Sequence, residues 1–494
     1  MRFVWFGGAL AVLLGFVLGV PTSVSAGSGG STVEASVLGL IRKHGFETGE
    51  VAVAILGDSG ESLALIQARE PFKPASNQKL LTTAAALALL GPDHKYVTTL
   101  QAPGAIQNGR IDGDLLVRGT GDPNISSRFY EGGPGALFRA WARELRARGL
   151  QEVTGGIVAD DTYFDDVRLP PTWDDRQAET WYSAQVSALS LNDNCLDVVV
   201  RPASRAGRPA EVGVVPASAL IEIEGAPQTV AGGKAKVIVH RKPGTNRIQV
   251  KGQIGLGAPA WMGNITMDDP ALVFASALAN AMKAEGITIK GSARKLERRS
   301  SRAGVVPAVQ APAILVEHTS TLLQDLQVIL KRSQNLHAEI LLKAMGARAG
   351  GEGSLAGGER AIREYLKAKR IPADGLVVAD GSGLSHANRV SAETLVRVLH
   401  SVRGESHFES FLQALPIAGE DGTLDDRFRG RAARGRIHAK TGYIRGVSCL
   451  SGYVLCGKRI ASFAVLVNSK RGGIGAAKTL QEEIGDLIYH ALER

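Results

Sequence analysis

The stretch P-A-S-N-Q-K-L-L-T-T-A-A-A-L-A-L-L-G, residues 74–91, combines a serine, a lysine three positions later and an apolar helical run. Ser76 and Lys79 are spaced i and i+3, so their side chains lie on one face of a helix. Pro74 precedes the pair and Gly91 follows the run, which predicts a helix that begins near Ser76 and ends at Gly91. In the first turn, free N–H groups favour developing negative charge, and the Lys79 amine would act as the base that activates the Ser76 hydroxyl.

The same four-residue pattern recurs at Ser292–Lys295, where charged residues follow instead of an apolar helix. That copy indicates an exposed surface segment. The Ser-x-x-Lys pattern therefore needs further motifs before it indicates catalysis.

A second motif, Ser333-Gln334-Asn335, lies between two apolar helical patterns, where a short turn would project the serine and the asparagine into a cleft. A second hydroxyl can relay a proton between the lysine, the nucleophile and a leaving amine. The amide can hold a substrate carbonyl. A similar triplet at Ser190–Asn192 precedes a strand and lacks this helix–turn–helix context.

The third motif is Lys440-Thr441-Gly442, at the head of a strand pattern. A lysine and a hydroxyl can bind a substrate carboxylate, and a glycine allows a ligand backbone to approach closely. The N–H groups of Tyr443 and Ser76 are candidates for an oxyanion hole.

The three motifs together, in this order, resemble those of the serine penicillin-binding proteins and serine β-lactamases. The long segment between the first two motifs and several landmarks narrow the resemblance, from about residue 35 to 490, to the D-alanyl-D-alanine carboxypeptidase/endopeptidase family, the class C low-molecular-mass penicillin-binding proteins. The landmarks are G-D-L-L-V-R-G-T-G-D-P-N (113–124), G-G-I-V-A-D-D-T-Y-F-D (155–165), V-S-A-L-S-L-N-D-N (186–194), D-G-S-G-L-S (380–385) and L-P-I-A-G-E-D-G-T-L (415–424).

This resemblance implies an exported serine-type D-Ala-D-Ala carboxypeptidase that acts on peptidoglycan stem peptides, with endopeptidase activity left open. It implies that Ser76 attacks the carbonyl of the penultimate D-alanine and that Lys79 takes its proton. Ser333 would deliver a proton to the leaving amine, and Asn335 would orient the substrate amide. Lys440 and Thr441 would hold the terminal carboxylate. β-Lactams would acylate the same serine, and no metal or organic cofactor is implied.

Two departures from the family pattern concern the outer pocket. Tyr443 replaces a small hydroxyl residue after Lys-Thr-Gly, and His386 replaces an arginine after D-G-S-G-L-S. In the family that arginine helps to bind the free end of the diamino-acid side chain, together with an aspartate that Asp160 matches. Asp160 fits a turn residue at a strand end equally well.

The order of patterns predicts an α/β (α+β) domain divided by a β-rich insertion, and the family resemblance implies that the divided domain has the serine β-lactamase/DD-peptidase-like fold. The strands of a hairpin (51–56 and 62–67) and the first helix come before the insertion, whereas further helices, a second hairpin and a closing helix follow it. We expect the catalytic domain at 27–91 and 262–494, and the inserted domain or domains at 92–261.

Composition excludes other classes. The chain has 494 residues, of which 44% are hydrophobic and 21% charged, as in a globular protein. The formal charge is +9, but basic residues are dense only at 294–302, which argues against nucleic-acid binding. Cys449 and Cys456 fall on one predicted strand, too far apart to bridge each other. A disulfide from Cys195 to one of them is the alternative to the arrangement we expect, in which all three are free, mostly buried thiols.

Residues 1–26 predict a cleavable signal peptide, with Arg2 before an apolar run and a small-residue cleavage site at 24–26. A single transmembrane anchor is the alternative interpretation of this run. We therefore expect export to the periplasm or another cell-envelope space.

Two other functions remain open from the sequence, as does the oligomeric state. One is a β-lactamase or esterase on the same fold, although residues between Ser333 and Lys440 contain no Glu-x-x-Leu-Asn segment of the kind that carries the deacylating glutamate in class A β-lactamases. The other is a non-catalytic envelope-binding protein, which the intact motif residues disfavour.

Overall fold

The computed structural model describes residues 28–297, 312–469 and 473–494. The predicted signal peptide at 1–26 and the alternative anchor lie outside these residues. Within the described ranges, no helix combines the length and the apolarity that a membrane crossing requires.

The helices and strands alternate along the chain as mixed α and β structure. The helices are α1 (Ser28–Lys43), α2 (Gln78–Leu90), α3 (Ala136–Ala147), α4 (Pro270–Ala284), α5 (Leu322–Lys331), α6 (Asn335–Gly350), α7 (Leu355–Ala368), α8 (Ala392–Val402), α9 (Phe408–Ala414) and α10 (Ile474–Glu493). The strands are β1 (Val51–Leu56), β2 (Ser62–Ile66), β3 (Pro71–Phe72), β4 (Lys95–Ala102), β5 (Arg110–Ile111), β6 (Leu115–Gly119), β7 (Glu152–Val153), β8 (Ile157–Asp160), β9 (Cys195–Arg201), β10 (Glu211–Val215), β11 (Glu222–Glu224), β12 (Gln228–Val230), β13 (Lys236–Arg241), β14 (Arg247–Gly255), β15 (Trp261–Thr266), β16 (Thr288–Ile289), β17 (Arg294–Lys295), β18 (Ala313–Thr321), β19 (Val390–Ser391), β20 (Ile437–Ile444), β21 (Val447–Cys456) and β22 (Arg459–Asn468).

The main sheet has five antiparallel strands in the order β2-β1-β22-β21-β20. Strand β1 is apolar on both faces because helices cover both sides of the sheet. Alternate side chains of a strand point to opposite faces. Val53 and its alternate neighbours pack with α1 and α10, whereas Ala54 and its alternate neighbours pack with α2 and α5–α8. The hairpin predicted at 51–56 and 62–67 is confirmed.

Helix α2 is the central helix of this half of the molecule. Residues 78–87 are all buried, including two threonines and Lys79, and a helix that is apolar on every side is expected in a core. It ends at Gly91, which has φ +84°. The prediction of a helix that runs from the Ser76 segment to Gly91 is confirmed.

The segment between α2 and α5 builds a second layer. A five-stranded sheet in the order β17-β8-β6-β4-β18 packs on α3 and α4. A third, smaller core joins the sheet β10-β9-β15 to the sheet of β11, β12, β13 and β14. The β-rich character predicted for the insertion is confirmed by these strands. Helix α3 interrupts them and packs Phe138, Trp141 and Leu145 in the core.

The expected division at residues 92 and 262 stays a prediction, but the packing bears on it. Helix α4 shares a core with α3, and β18 pairs with β4 along its length. Both elements lie after residue 262. Because Leu322 is the first residue after β18 that packs in the core around α2, we propose that the chain returns to the catalytic layer at α5.

The three cysteines are free thiols, as predicted. Cys449 and Cys456 lie on the one strand β21, and Cys195 begins β9. Burial raises the pKa of Cys195 and of Cys449 above the ordinary range of a thiol, so both are chemically quiet at neutral pH.

Candidate active site

Ser76 lies in a single 3-10 turn, Ala75–Asn77, that leads directly into α2. Lys79 is the second residue of α2 and is fully buried, whereas Ser76 is partly exposed. The Lys79 Nζ atom is 3.0 Å from Ser76 Oγ. The structure therefore brings together the pair that the sequence motif predicts.

The neighbouring residues hold the Ser76 turn against the main sheet. Asn77 donates from Nδ2 to the Lys440 carbonyl at 2.8 Å and accepts from Ser451 Oγ at 2.6 Å. Ala75 has φ +46°, in the left-handed region that costs free energy for a non-glycine residue. Such a backbone conformation persists where the surrounding contacts hold it in place. The hydrogen bonds of Asn77 to the strand residues Lys440 and Ser451 are contacts of this kind.

Gly442 of the third motif faces this turn. A Cβ atom there would lie 2.8 Å from the Pro74 carbonyl oxygen and 3.2 Å from the Asn77 nitrogen. The sequence motif predicts that this glycine lets a ligand backbone approach closely. The structure adds a second reason for the glycine, because a side chain would press on the segment that carries Ser76.

Lys79 makes two further short contacts besides Ser76. Its Nζ donates to Asn335 Oδ1 at 2.7 Å and to the Ser382 carbonyl oxygen at 2.7 Å. Burial lowers the pKa of Lys79 to about 7, against the opposing influence of the carboxylates of Asp380 and Glu339. Near neutral pH a large fraction of this amine is uncharged, as a general base requires.

Ser333 lies in the turn between α5 and α6 and has φ +60°. Its Oγ accepts a hydrogen bond from Lys440 Nζ at 2.9 Å, and Lys440 also donates to the Thr441 carbonyl at 2.9 Å. Burial, and to a smaller extent the charge of Lys79, holds the pKa of Lys440 well below its usual range. Each of the two partly exposed serines is thus hydrogen-bonded to a buried lysine amine, Ser76 to Lys79 and Ser333 to Lys440.

Thr441 and Tyr443 alternate with Gly442 along β20. Thr441 is partly exposed and donates from Oγ1 to Thr423 Oγ1 at 2.7 Å. Tyr443 is 65% exposed, so its side chain lies at the surface while its main chain stays in the strand. The partly exposed hydroxyls of Ser76, Ser333 and Thr441 are therefore the groups of the three motifs that an incoming substrate would meet.

The two outer-pocket candidates are in different situations. Asp160 ends β8 and is buried; its Oδ1 accepts from the Thr162 N–H at 3.0 Å and from Thr162 Oγ1 at 2.6 Å. These contacts are those of a turn residue at a strand end, the alternative that the sequence left open. His386 is exposed, and its pKa is lowered by partial burial and by the charges of Lys73, Arg389 and Arg445.

Two buried carboxylates lie beside Lys79 that the sequence motifs do not predict. Glu339 accepts from the N–H groups of Gly381 and Ser382 at 2.9 and 2.8 Å, and Asp380 accepts from Gly383 at 2.6 Å. The D-G-S-G-L-S landmark at 380–385 forms a loop beside Lys79, and its Ser382 carbonyl accepts a hydrogen bond from that amine. A spacing of four residues from Asn335 to Glu339 was the available signal, since it places both on one helix face.

A buried ion cluster fixes the Ser333 turn from the other side. His337 lies between Asp325, with a Nδ1–Oδ1 distance of 2.7 Å, and Asp193, with a Nε2–Oδ1 distance of 3.3 Å. Gln334 donates to Asp193 at 2.8 Å. The two carboxylates outweigh burial and raise the pKa of His337 to about 9. Because Asp193 belongs to the inserted segment, this cluster ties the insertion to the second motif.

Comparison with known proteins places the chain in a family. Residues 35–487 match the D-Ala-D-Ala carboxypeptidase 3 (S13) family. A D-alanyl-D-alanine carboxypeptidase of Actinomadura sp. is 35% identical over 440 residues, which cover 86% of this chain and 79% of that protein. The D-alanyl-D-alanine carboxypeptidase DacB of Haemophilus influenzae is 27% identical over 418 residues, 82% of each chain.

The fold agrees with this assignment. The crystal structure of penicillin binding protein 4 (dacB) from Haemophilus influenzae aligns with a TM-score of 0.74 at 23% identity, over 91% of this chain and 99% of that one. The predicted fold, a DD-peptidase-like domain with a large β-rich insertion, is confirmed. The chain belongs to the D-Ala-D-Ala carboxypeptidase 3 (S13) family of serine peptidases.

Proposed function

We propose that this member of the S13 family works as a penicillin-binding serine D-Ala-D-Ala carboxypeptidase whose acyl-enzyme forms on Ser76. The observation that carries the assignment of residues is the fully buried amine of Lys79, 3.0 Å from the partly exposed hydroxyl of Ser76. The family assignment favours this function over the alternative of a β-lactamase or esterase.

The hydrogen bonds of Lys79 explain how it activates Ser76. A protonated lysine has three donors and no acceptor, whereas the neutral amine has two donors and one lone pair. Asn335 Oδ1 and the Ser382 carbonyl are acceptors only, and each lies 2.7 Å from Nζ. The neutral amine spends both donors on them, so its lone pair points at Ser76 Oγ, and the serine becomes the donor of that bond.

Acylation then follows from this arrangement. Ser76 Oγ attacks the carbonyl carbon of the penultimate D-alanine as its proton passes to Lys79 Nζ, and the carbonyl electrons move to the oxygen. Ser333 is oriented by its hydrogen bond from Lys440 at 2.9 Å. When the oxyanion re-forms the carbonyl and the peptide bond breaks, Ser333 gives its proton to the leaving amine and takes in return the proton that Lys79 received, so both residues regain their starting states. Water hydrolyses the ester and restores the Ser76 hydroxyl. The N–H groups of Ser76 and Tyr443 are the proposed donors to the oxyanion.

The terminal carboxylate of the substrate would bind between Lys440 and Thr441. The pKa of Lys440 is low because burial disfavours its charge. A bound carboxylate supplies the missing counter-charge and raises that pKa, so substrate binding and protonation of Lys440 favour each other. Asn335 is the proposed contact of the substrate amide, and we keep Asp160 and His386 as proposed contacts of the stem-peptide side chain, supported by the family pattern alone.

We extend the proposal to partners and location. The substrates are peptidoglycan stem peptides, with carboxypeptidase and endopeptidase cleavage both open, and β-lactams are covalent inhibitors of Ser76. Penicillin binding protein 4 (dacB) of Haemophilus influenzae has been solved in complex with a β-lactam, which supports the inhibitor class. The pattern of residues 1–26 supports secretion by a cleavable signal peptide into the periplasm or another envelope space.

Intact-mass measurement and peptide mapping after exposure to benzylpenicillin test the assignment. We expect a single adduct on the peptide that contains Ser76, and none in Ser76→Ala. Ser292→Ala is the matched control, because Ser292 begins the other Ser-x-x-Lys pattern and is exposed. An adduct that persists in Ser76→Ala contradicts the assignment. Rapid loss of the adduct with turnover of penicillin favours the β-lactamase alternative.

A further inference from the structure

We propose that Glu339 is a positioning residue for acylation, which directs the lone pair of Lys79 at Ser76 through the main chain of Gly381 and Ser382. The inference rests on the proposed function of Ser76 and Lys79. It assigns a role to a side chain that touches neither the substrate nor the reacting atoms.

The carboxylate of Glu339 clamps two consecutive peptide groups. Its Oε2 accepts from the Gly381 N–H at 2.9 Å, and its Oε1 accepts from the Ser382 N–H at 2.8 Å. These N–H groups belong to the two peptide groups immediately before the one that contains the Ser382 carbonyl, the acceptor of the Lys79 hydrogen bond at 2.7 Å. The peptide group of the carbonyl itself is held by Asp380, which accepts from the Gly383 N–H at 2.6 Å. Glu339 and Asp380 thus fix three consecutive N–H groups and leave this carbonyl little freedom to rotate.

Helix α6 contributes both acceptors of Lys79, one directly and one through Glu339. Asn335 and Glu339 are four residues apart on one face of the helix. The loop is seated closely on this helix, because a Cβ atom at Gly381 would lie 2.6 Å from the Ala338 carbonyl oxygen. A single rigid element therefore sets the directions of both hydrogen bonds that Lys79 donates.

The fixed directions matter because they determine where the remaining lone pair points. A carbonyl oxygen cannot donate, so the neutral amine cannot turn its lone pair toward Ser382 without losing that bond. If the carbonyl moved, a donor of Lys79 could turn to Ser76 instead, and the serine proton would lose its acceptor. Misplacement of a catalytic group by about 1 Å can lower a rate about 100-fold.

The charge of Glu339 acts on the same amine. The charged groups that face Lys79 are Glu339 on α6, Asp380 on the loop and Lys440 on β20. Lys343, one turn further along α6, interacts with Glu339 in turn. The two carboxylates raise the pKa of Lys79 against the effect of burial. Burial and Asp380 raise the pKa of Glu339, whereas the hydrogen bonds from the Gly381 and Ser382 N–H groups oppose this rise because they favour the carboxylate.

Glu339→Gln removes the charge and half of the clamp. A glutamine has one acceptor oxygen, and its NH₂ group would face the N–H of Gly381 or Ser382. We expect the maximal rate constant of acylation by a chromogenic penicillin to fall by about 10- to 100-fold. We also expect the acid limb of its pH profile to move to lower pH by roughly half a unit or more, because Lys79 then faces one carboxylate instead of two.

Two further variants separate geometry, charge and folding. Glu339→Asp keeps the charge but withdraws the carboxylate by one methylene, so we expect a lower rate with the acid limb in place. Lys343→Met is the matched control: Lys343 is equally buried on α6 but bonds to Asp165 and to the Val167 carbonyl, away from the loop. It should lower stability and move the acid limb less than Glu339→Gln does, because the charge of Lys343 acts on Glu339 and not on Lys79 itself.

The outcomes are distinct. Acylation of Glu339→Gln within about twofold of the wild type, or a fall without a shift that Lys343→Met reproduces, overturns the positioning role. If Glu339→Gln does not fold, an unchanged rate in Glu339→Asp overturns it. Absence of acylation in the wild-type protein refutes the proposed function itself, so the two failures are told apart.

Discussion

Replacement of Gly442 by alanine adds one methyl group between strand β20 and the turn that carries Ser76. The new Cβ atom would lie 2.8 Å from the Pro74 carbonyl oxygen, about 0.6 Å closer than the 3.4 Å at which ordinary contact begins. The Ala75 Cβ and the Asn77 nitrogen would each lie at 3.2 Å. The nearest obstacles belong to the turn itself, so the turn must move away from the sheet.

The size of the effect follows from this overlap. A shift of about half an ångström in the nucleophile corresponds to roughly a 10-fold loss of acylation rate, if 1 Å costs about 100-fold. Overpacking of this kind lowers the free energy of unfolding by about 1–3 kcal/mol. The rate constant for acylation by penicillin and a urea unfolding curve measure the two effects separately.

Gly213→Ala is the matched control: Gly213 also lies in a strand, but among the described residues, apart from its two chain neighbours, no atom lies within 4 Å of its added Cβ. We expect it to leave acylation unchanged. The reasoning is refuted if Gly442→Ala acylates as fast as the wild type. It is also refuted if the variant loses stability while its rate is retained, since the turn would then have absorbed the methyl group without displacing Ser76.

Three further predictions concern buried groups around the site. Lys79→Arg should lower the acylation rate by at least about 100-fold, because an arginine keeps its proton and cannot act as the base. In the wild type the acylation rate should rise with pH through about 7, the lowered pKa of Lys79. Stopped-flow measurement of acylation checks both predictions. Asn77→Ala leaves the Lys440 carbonyl and Ser451 Oγ without their partner, so urea unfolding should show a loss of about 2–4 kcal/mol, against little change in the exposed control Asn264→Ala. For His337 the pKa is raised from 6.5 to about 9 in the folded protein, so the stabilisation by its charge is complete below pH 6.5 and is lost as the pH rises through 9. The difference in unfolding free energy between wild type and His337→Gln should therefore shrink by on the order of 3 kcal/mol between pH 6 and 10. A difference that stays constant over this range contradicts a buried imidazolium.

The sequence predicted those parts of the site whose signals are local. Ser76 and Lys79 share one helical turn, and Ser333 and Asn335 share the short connection that leads into α6, so spacing and flanking apolar runs were sufficient to find them. Lys440 and Thr441 were found because strand β20 carries a recognisable three-residue motif. The fold class and the hairpin likewise follow from periodicity along the chain.

The missed features depend on contacts between distant segments. Glu339 becomes meaningful only when the loop at Gly381 and Ser382 is folded onto α6, and no local pattern specifies that contact. In the sequence, Asn77 is one of the two variable positions between Ser76 and Lys79. Its structural role depends on hydrogen bonds to β20 and β21, which the sequence does not predict. The association of α4 and β18 with the insertion is also a tertiary result, since an apolar helix pattern does not say which core it joins.

The outer pocket remains the part of the site that the family pattern predicts least well. Asp160 is engaged with Thr162, and His386 is an exposed imidazole among cationic neighbours. Neither side chain reproduces the carboxylate–arginine arrangement that the family resemblance implies. Activity on stem peptides that differ only in their third residue, measured for the wild type and for Asp160→Asn and His386→Ala, tests whether these two residues contact that side chain.

The most direct test of the account is release of D-alanine from a stem pentapeptide by the wild type and by Ser76→Ala, with penicillin labelling of both. We expect the wild type to release D-alanine and to carry a single penicillin label at Ser76, and we expect Ser76→Ala to do neither. Release of D-alanine by Ser76→Ala at the wild-type rate, or a label on a different serine, would contradict it.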